Sequence, residues 1–96
     1  MCTYATVKVP IDGSGKGPNG SWLHVSDATV YFDHPVHAMA DHTLNIDLAD
    51  PSKGPSARVA LELTAESARQ LVAAIQEALA SVPTALTAYG RHGPAR

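Results

Sequence analysis

Residues 58–83 read RVALELTAESARQLVAAIQEALASVP, and within them the hydrophobic period changes once. From Arg58 to Leu63 it is two: Val59, Leu61 and Leu63 share one face, while Arg58 and Glu62 point the other way, as in a half-buried strand. From Thr64 onward it is helical. Ala68, Leu71, Val72, Ile75, Ala78, Leu79 and Val82 recur at i, i+3, i+4 and i+7, with Glu66, Arg69, Gln70, Gln76 and Glu77 mostly opposite. Thr64 supplies an N-cap, Glu66 puts negative charge in the first turn where the helix dipole favours it, and Pro83 stops the run.

Working back from this junction, strand-like segments dominate. His42 to Leu48 (HTLNIDL) alternates, with Leu44, Ile46 and Leu48 inward and Thr43, Asn45 and Asp47 outward. Ala28 to Asp33 (ATVYFD) places Val30 and Phe32 on one face and Thr29, Tyr31 and Asp33 on the other. Thr3 to Val9 (TYATVKV) alternates up to Pro10, which is expected to end it, and Trp22 to Val25 reads as a short strand. Asp12 to Ser21 (DGSGKGPNGS) holds four of the seven glycines and reads as a loop. Its Gly13, Gly15, Lys16 and Gly17 resemble a phosphate loop only superficially, because no Ser or Thr follows Lys16 and no helix follows the loop. Residues 50–56 form a turn-rich connector.

No helical pattern separates the strands, so parallel crossovers are excluded and the sheet is expected to be antiparallel with one wet face. The expected fold is α+β: an antiparallel sheet of four to five strands with one C-terminal helix packed on one face. Residues 1–83 form a single domain, and 84–96 a flexible tail without period. One helix of this length cannot cover such a sheet, so a homodimer is expected.

The 96 residues suit one domain, and 45% hydrophobic against 17% charged residues favours a folded chain over disorder. A net charge of −2 with scattered Lys and Arg argues against nucleic acid as a partner. No apolar stretch approaches a membrane span, and the single cysteine, Cys2, precludes an intrachain disulfide, so a cytoplasmic protein is expected.

Chemistry concentrates in DHPVHAMADHTLNID, residues 33–47, which carries three of the five histidines as His34, His37 and His42. His34 continues the inward phase of Val30 and Phe32, and His42 continues that of Leu44 and Ile46 backwards. In a hairpin the two sit at its mouth on one face, within reach of one ion because paired strands lie about 4.8 Å apart. His37, in a connection stiffened by Pro35, is a third ligand. Three neutral imidazoles suit zinc, copper, nickel or iron. Asp41 is better placed than Asp33 to orient a ring. Cys2 would be N-terminal after loss of Met1 and is a possible fourth, thiolate ligand. His24 extends the cluster if residues 22–25 are a neighbouring strand. Glu62 is a conceivable acid or base, although its phase directs it outward.

The opening MCTY, the loop GSGKGP, and the runs ATVYFDHPVHAMADHTLNIDL and GPSARVALELTAESAR resemble an uncharacterised family of small bacterial proteins, a domain of unknown function, over residues 1 to 82. That resemblance implies no activity and no ligand set; it implies only that Cys2 and the histidine run belong together. The expectation is a small metal-binding protein with a histidine-cluster site; as a metalloenzyme it would use the ion to polarise a carbonyl or activate water or dioxygen, with no catalytic residue assigned. The alternatives are a non-catalytic dimeric interaction module, or a metal-free protein that binds a small molecule through Trp22 and Tyr31.

Overall fold

The computed structural model describes residues 4–87, so Cys2 and residues 88–96 lie outside the described residues. Four strands, β1 (Thr6–Lys16), β2 (Trp22–Asp33), β3 (Thr43–Ala49) and β4 (Arg58–Leu63), form one antiparallel sheet in the order β1-β2-β3-β4. A 3₁₀ turn (Pro51–Lys53) links β3 to β4, and helix α1 (Ala65–Ala80) follows. A second 3₁₀ turn, Thr84–Thr87, occupies the start of the expected tail. The fold is α+β, and every connection is a hairpin or a short turn, as an antiparallel meander requires.

The N-terminal half departs from the expected pattern. Pro10 does not end β1, and the glycine-rich segment is strand as far as Lys16, leaving only residues 17–21 as a turn. Trp22–Val25 and Ala28–Asp33 are parts of one strand. Pro10 is tolerated because β1 is an edge strand, where a missing N–H costs no ladder bond on the solvent side. Next to it the register shifts between Pro10 and Gly13. The bulge lets β2 change phase, so that Val25 and Ala28, three residues apart, are both buried.

The glycines serve close packing here. A β-carbon on Gly15 would stand 3.2 Å from Val59 Cγ2 and 3.6 Å from Val25 Cγ1, so the far half of the β1–β2 hairpin is pressed onto β4. Gly20, at φ 82°, supplies the left-handed residue of the turn.

Pairing assigns the two faces. Val30↔Ile46, Phe32↔Leu44 and Ile46↔Leu61 share the apolar face, and Tyr31↔Asn45, Asn45↔Glu62 and Asp47↔Ala60 share the polar one. The polar face is not uniformly wet: Thr43 and Asn45 are buried and joined by a 2.6 Å hydrogen bond from the Thr43 hydroxyl to Asn45 Oδ1.

Helix α1 starts after a single connecting residue. Thr64 caps it, its hydroxyl oxygen accepting the Ser67 N–H at 3.1 Å. Ala65 and Ala68 border an apolar hollow with Phe32 and Leu44, but no residue of α1 is buried. The radius of gyration is 15.3 Å, whereas a compact chain of this size has about 12 Å. Among the described residues, no helix is long and apolar enough to cross a membrane.

Replacing Gly15 by Val should overpack the Val25–Val59 contact. The expected loss is about 1–3 kcal/mol of unfolding free energy, read from urea denaturation of the two proteins side by side.

Candidate metal centre

The β2–β3 ladder ends at the pair Asp33↔Thr43, and the next two residues outward are His34 and His42. Their rings approach to 4.3 Å between centroids. His42 stacks on Phe32 at 5.6 Å with the planes 10° apart, and Tyr4 meets both rings edge-on. The His42 ring is therefore held by the apolar face, while His34 borders the loop that leaves β2.

Asp41 contacts both imidazoles through two different groups. Its backbone carbonyl lies 3.1 Å from His34 Nδ1, and its carboxylate Oδ2 lies 2.9 Å from His42 Nδ1. A carbonyl oxygen only accepts, so the proton of neutral His34 resides on Nδ1, and a carboxylate beside His42 favours the same tautomer. In that form each Nε2 carries a free lone pair. His34, Asp41 and His42 each offer a donor atom, all within 4.8 Å of one another. The Asp41 carboxylate is solvent-facing, where an ion pair adds little stability; its effect is on ring orientation.

The rest of the connection is held by Glu62. Its carboxylate accepts the Val36 N–H at 2.6 Å, the Ala38 N–H at 2.7 Å and the His37 N–H at 3.1 Å. These bonds from Ala38, Val36 and His37 hold the Glu62 carboxyl below the ordinary glutamate range, with a further small lowering from the charge of His37. Glu62 faces outward as its phase dictates, but what it meets there is the 34–42 loop, folded over Asn45. His37 accompanies Glu62 and is not part of the converging group formed by His34, Asp41 and His42. His24 stands apart, near the far end of β2, with Asp12 and Asp50 each 3.8 Å away. The positions of Cys2 and His92 lie outside the described residues.

A sequence profile of a family of unknown function, DUF6295, matches residues 1–88. The chain belongs to this family. No curated protein and no solved structure matches it.

Beside the histidine pair, the DUF6295 chain carries an open cleft of about 580 Å³ on its polar face. His34, His37, Tyr31, Asn45, Arg58 and Glu62 contribute to its walls. Within it the Asp47 carboxylate pairs with the Arg58 guanidinium and accepts the Tyr31 hydroxyl at 3.2 Å. Burial, followed by the Asp47 charge, pushes the Tyr31 phenol above its ordinary range. Trp22, by contrast, is exposed beneath the Lys16 ammonium, 5.3 Å from the ring centroid.

The Glu62 tether gives a pH prediction. A carboxyl depressed in the folded state contributes stability above its unfolded pKa, and that contribution is lost as pH falls through the folded value. The amide resonances of Val36, His37 and Ala38 should titrate together, with a midpoint below the roughly 4.3 of a free glutamate. In Glu62→Gln the titration should vanish, and exchange of these three amides should quicken.

Proposed function

We propose that this chain is a metal-binding protein that holds a divalent transition ion between His34 and His42, with Asp41 as the residue that organises the site. The carrying observation is the double contact of Asp41, which holds the Nδ1 of both rings and leaves both Nε2 lone pairs for an ion. Metal-bound histidines commonly have the second ring nitrogen held in this way by a carboxylate or a backbone carbonyl. Donors around a tetrahedral ion with metal–nitrogen distances near 2.1 Å stand about 3.4 Å apart, and His34, Asp41 and His42 already offer donor atoms within 4.8 Å of one another.

Two imidazoles do not complete a coordination sphere. Cys2 is the proposed further ligand: Tyr4 already lies against His42, and two residues of chain span up to about 7 Å. A thiolate added to two imidazoles favours zinc, copper or iron. His37 is assigned to the loop tether and cleft wall instead of the ion. Positions left open to solvent would let the ion polarise a carbonyl or activate water for a small polar molecule in the adjoining cleft.

Elemental analysis of untagged protein, as isolated and after reconstitution with zinc, copper, iron or nickel, should give about one ion per chain if these ligands act on one ion. His34→Ala and His42→Ala should abolish binding, and His37→Ala should leave it intact. Asp41→Asn should weaken it about 10–100-fold. With cobalt as the probe, Cys2→Ser should remove a thiolate-to-metal absorption band. No ion in any wild-type preparation would overturn the proposal.

A further inference from the structure

We infer that two copies of this chain exchange their C-terminal helices, each α1 lying across the apolar sheet face of the other copy. Three observations carry it. First, the apolar stripe of α1 is left largely open beyond its first turns: Leu71 is 39% exposed, Ile75 51% and Leu79 59%. Second, the apolar face of the sheet is also uncovered, with Val7 52%, Val9 44% and Leu61 40% exposed. Third, the surplus surface has the size of a permanent dimer contact. The accessible area is 7223 Å² for a 10.0 kDa chain, where a compact monomer of that mass exposes about 5,200 Å². The surplus of roughly 2,000 Å² per chain falls within what obligate homodimers bury.

The chain's own helix does not fill its own sheet, and the reason is local. β4 ends at Leu63 and α1 begins at Ala65, so only Thr64, in extended conformation at φ −63° and ψ 156°, connects them. A connection of one residue is shorter than the usual strand-to-helix loop of about 2–6 residues. The first turn of the helix, at Ala65 and Ala68, lines the hollow with Phe32 and Leu44, while Leu71, Ile75 and Leu79 beyond it stay exposed. A second copy related by a two-fold axis offers the missing partner twice, because helix stripe and bare sheet face are present on both protomers. Among the described residues, the buried apolar set is only Val25 and Ala28, too few to stabilise a monomer of this length.

The test uses the full chain stripped of metal, so it does not depend on the proposed ion site. Sedimentation equilibrium at micromolar concentration should return twice the 10.0 kDa chain mass, and the melting temperature should rise with protein concentration. In a sample mixed from isotope-labelled and unlabelled chains, filtered NOEs should join methyls of Leu71, Ile75 and Leu79 to Val7, Val9 and Leu61 across protomers. Leu79→Asp should halve the mass or leave the chain unfolded, while Glu77→Gln, off the stripe, should do neither. A monomer with a concentration-independent melting temperature would overturn the inference. So would a dimer whose intermolecular NOEs avoid α1, as in pairing along the β1 edge, or a Leu79→Asp variant that keeps the wild-type mass.

Discussion

Three consecutive backbone N–H groups, those of Val36, His37 and Ala38, converge on the single carboxylate of Glu62. The arrangement of the site depends on this contact. The connection between β2 and β3 runs nine residues without regular structure, and a segment of that length has no ladder to satisfy its amides. Glu62 supplies acceptors for three of them from a strand two places along the sheet. Both ends of the loop are fixed by the ladder at Asp33 and Thr43, and its middle by β4. His34 and Asp41 flank the ladder end, so the register sets their approach to His42, and Glu62 holds the stretch between them.

The same contact explains how one sheet has two different faces. On the polar face, Glu62 draws the loop over Asn45, which turns part of a solvated surface into the wall of a cleft. On the apolar face, Phe32 and Tyr4 fix the His42 ring by stacking and edge contact. The histidine pair stands where the two faces meet, with His42 supported from the apolar side and His34 bordering the polar cleft. Asp41 joins them through one carbonyl and one carboxylate, so a single residue sets the tautomer of both.

Much of the fold was legible in the sequence because its periods are clean. The alternation in Arg58–Leu63 and in the TLNIDLA strand specified one-sided strands, and the Thr64 cap placed the helix start. In the N-terminal half the strands were legible but their extents were not, because what decides those is tertiary. Pro10 reads as a stop, yet an edge strand has no use for the missing N–H. Gly13 and Gly15 read as a loop, whereas Gly15 is there to let Val25 and Val59 close over it. The meeting of His34 with His42 followed from hairpin phase, since both continue an inward run and the register places them opposite. Glu62 had no such signal. Its outward phase was correct, but a local pattern cannot reveal that a loop from 24 or more residues upstream lies on that side. For the same reason His37, grouped with its neighbours by sequence distance, belongs spatially with Glu62.

The one-residue junction at Thr64 has consequences in both directions along the chain. It leaves one residue between β4 and α1, so the placement of α1 bears directly on the strand that carries Glu62. A helix resting on another copy's sheet would hold β4 in place, and β4 holds the loop of His34 and Asp41 through Glu62. In that dimer, packing on the apolar face and geometry at the histidine pair would be coupled through β4. The coupling is mechanical and short: helix to Thr64, Thr64 to Leu63, Leu63 to Glu62, and Glu62 to three amides of the loop. A chain with so small a buried core has few other ways to keep an exposed nine-residue connection in one conformation. The arrangement ties the longest irregular connection among the described residues to its regular elements.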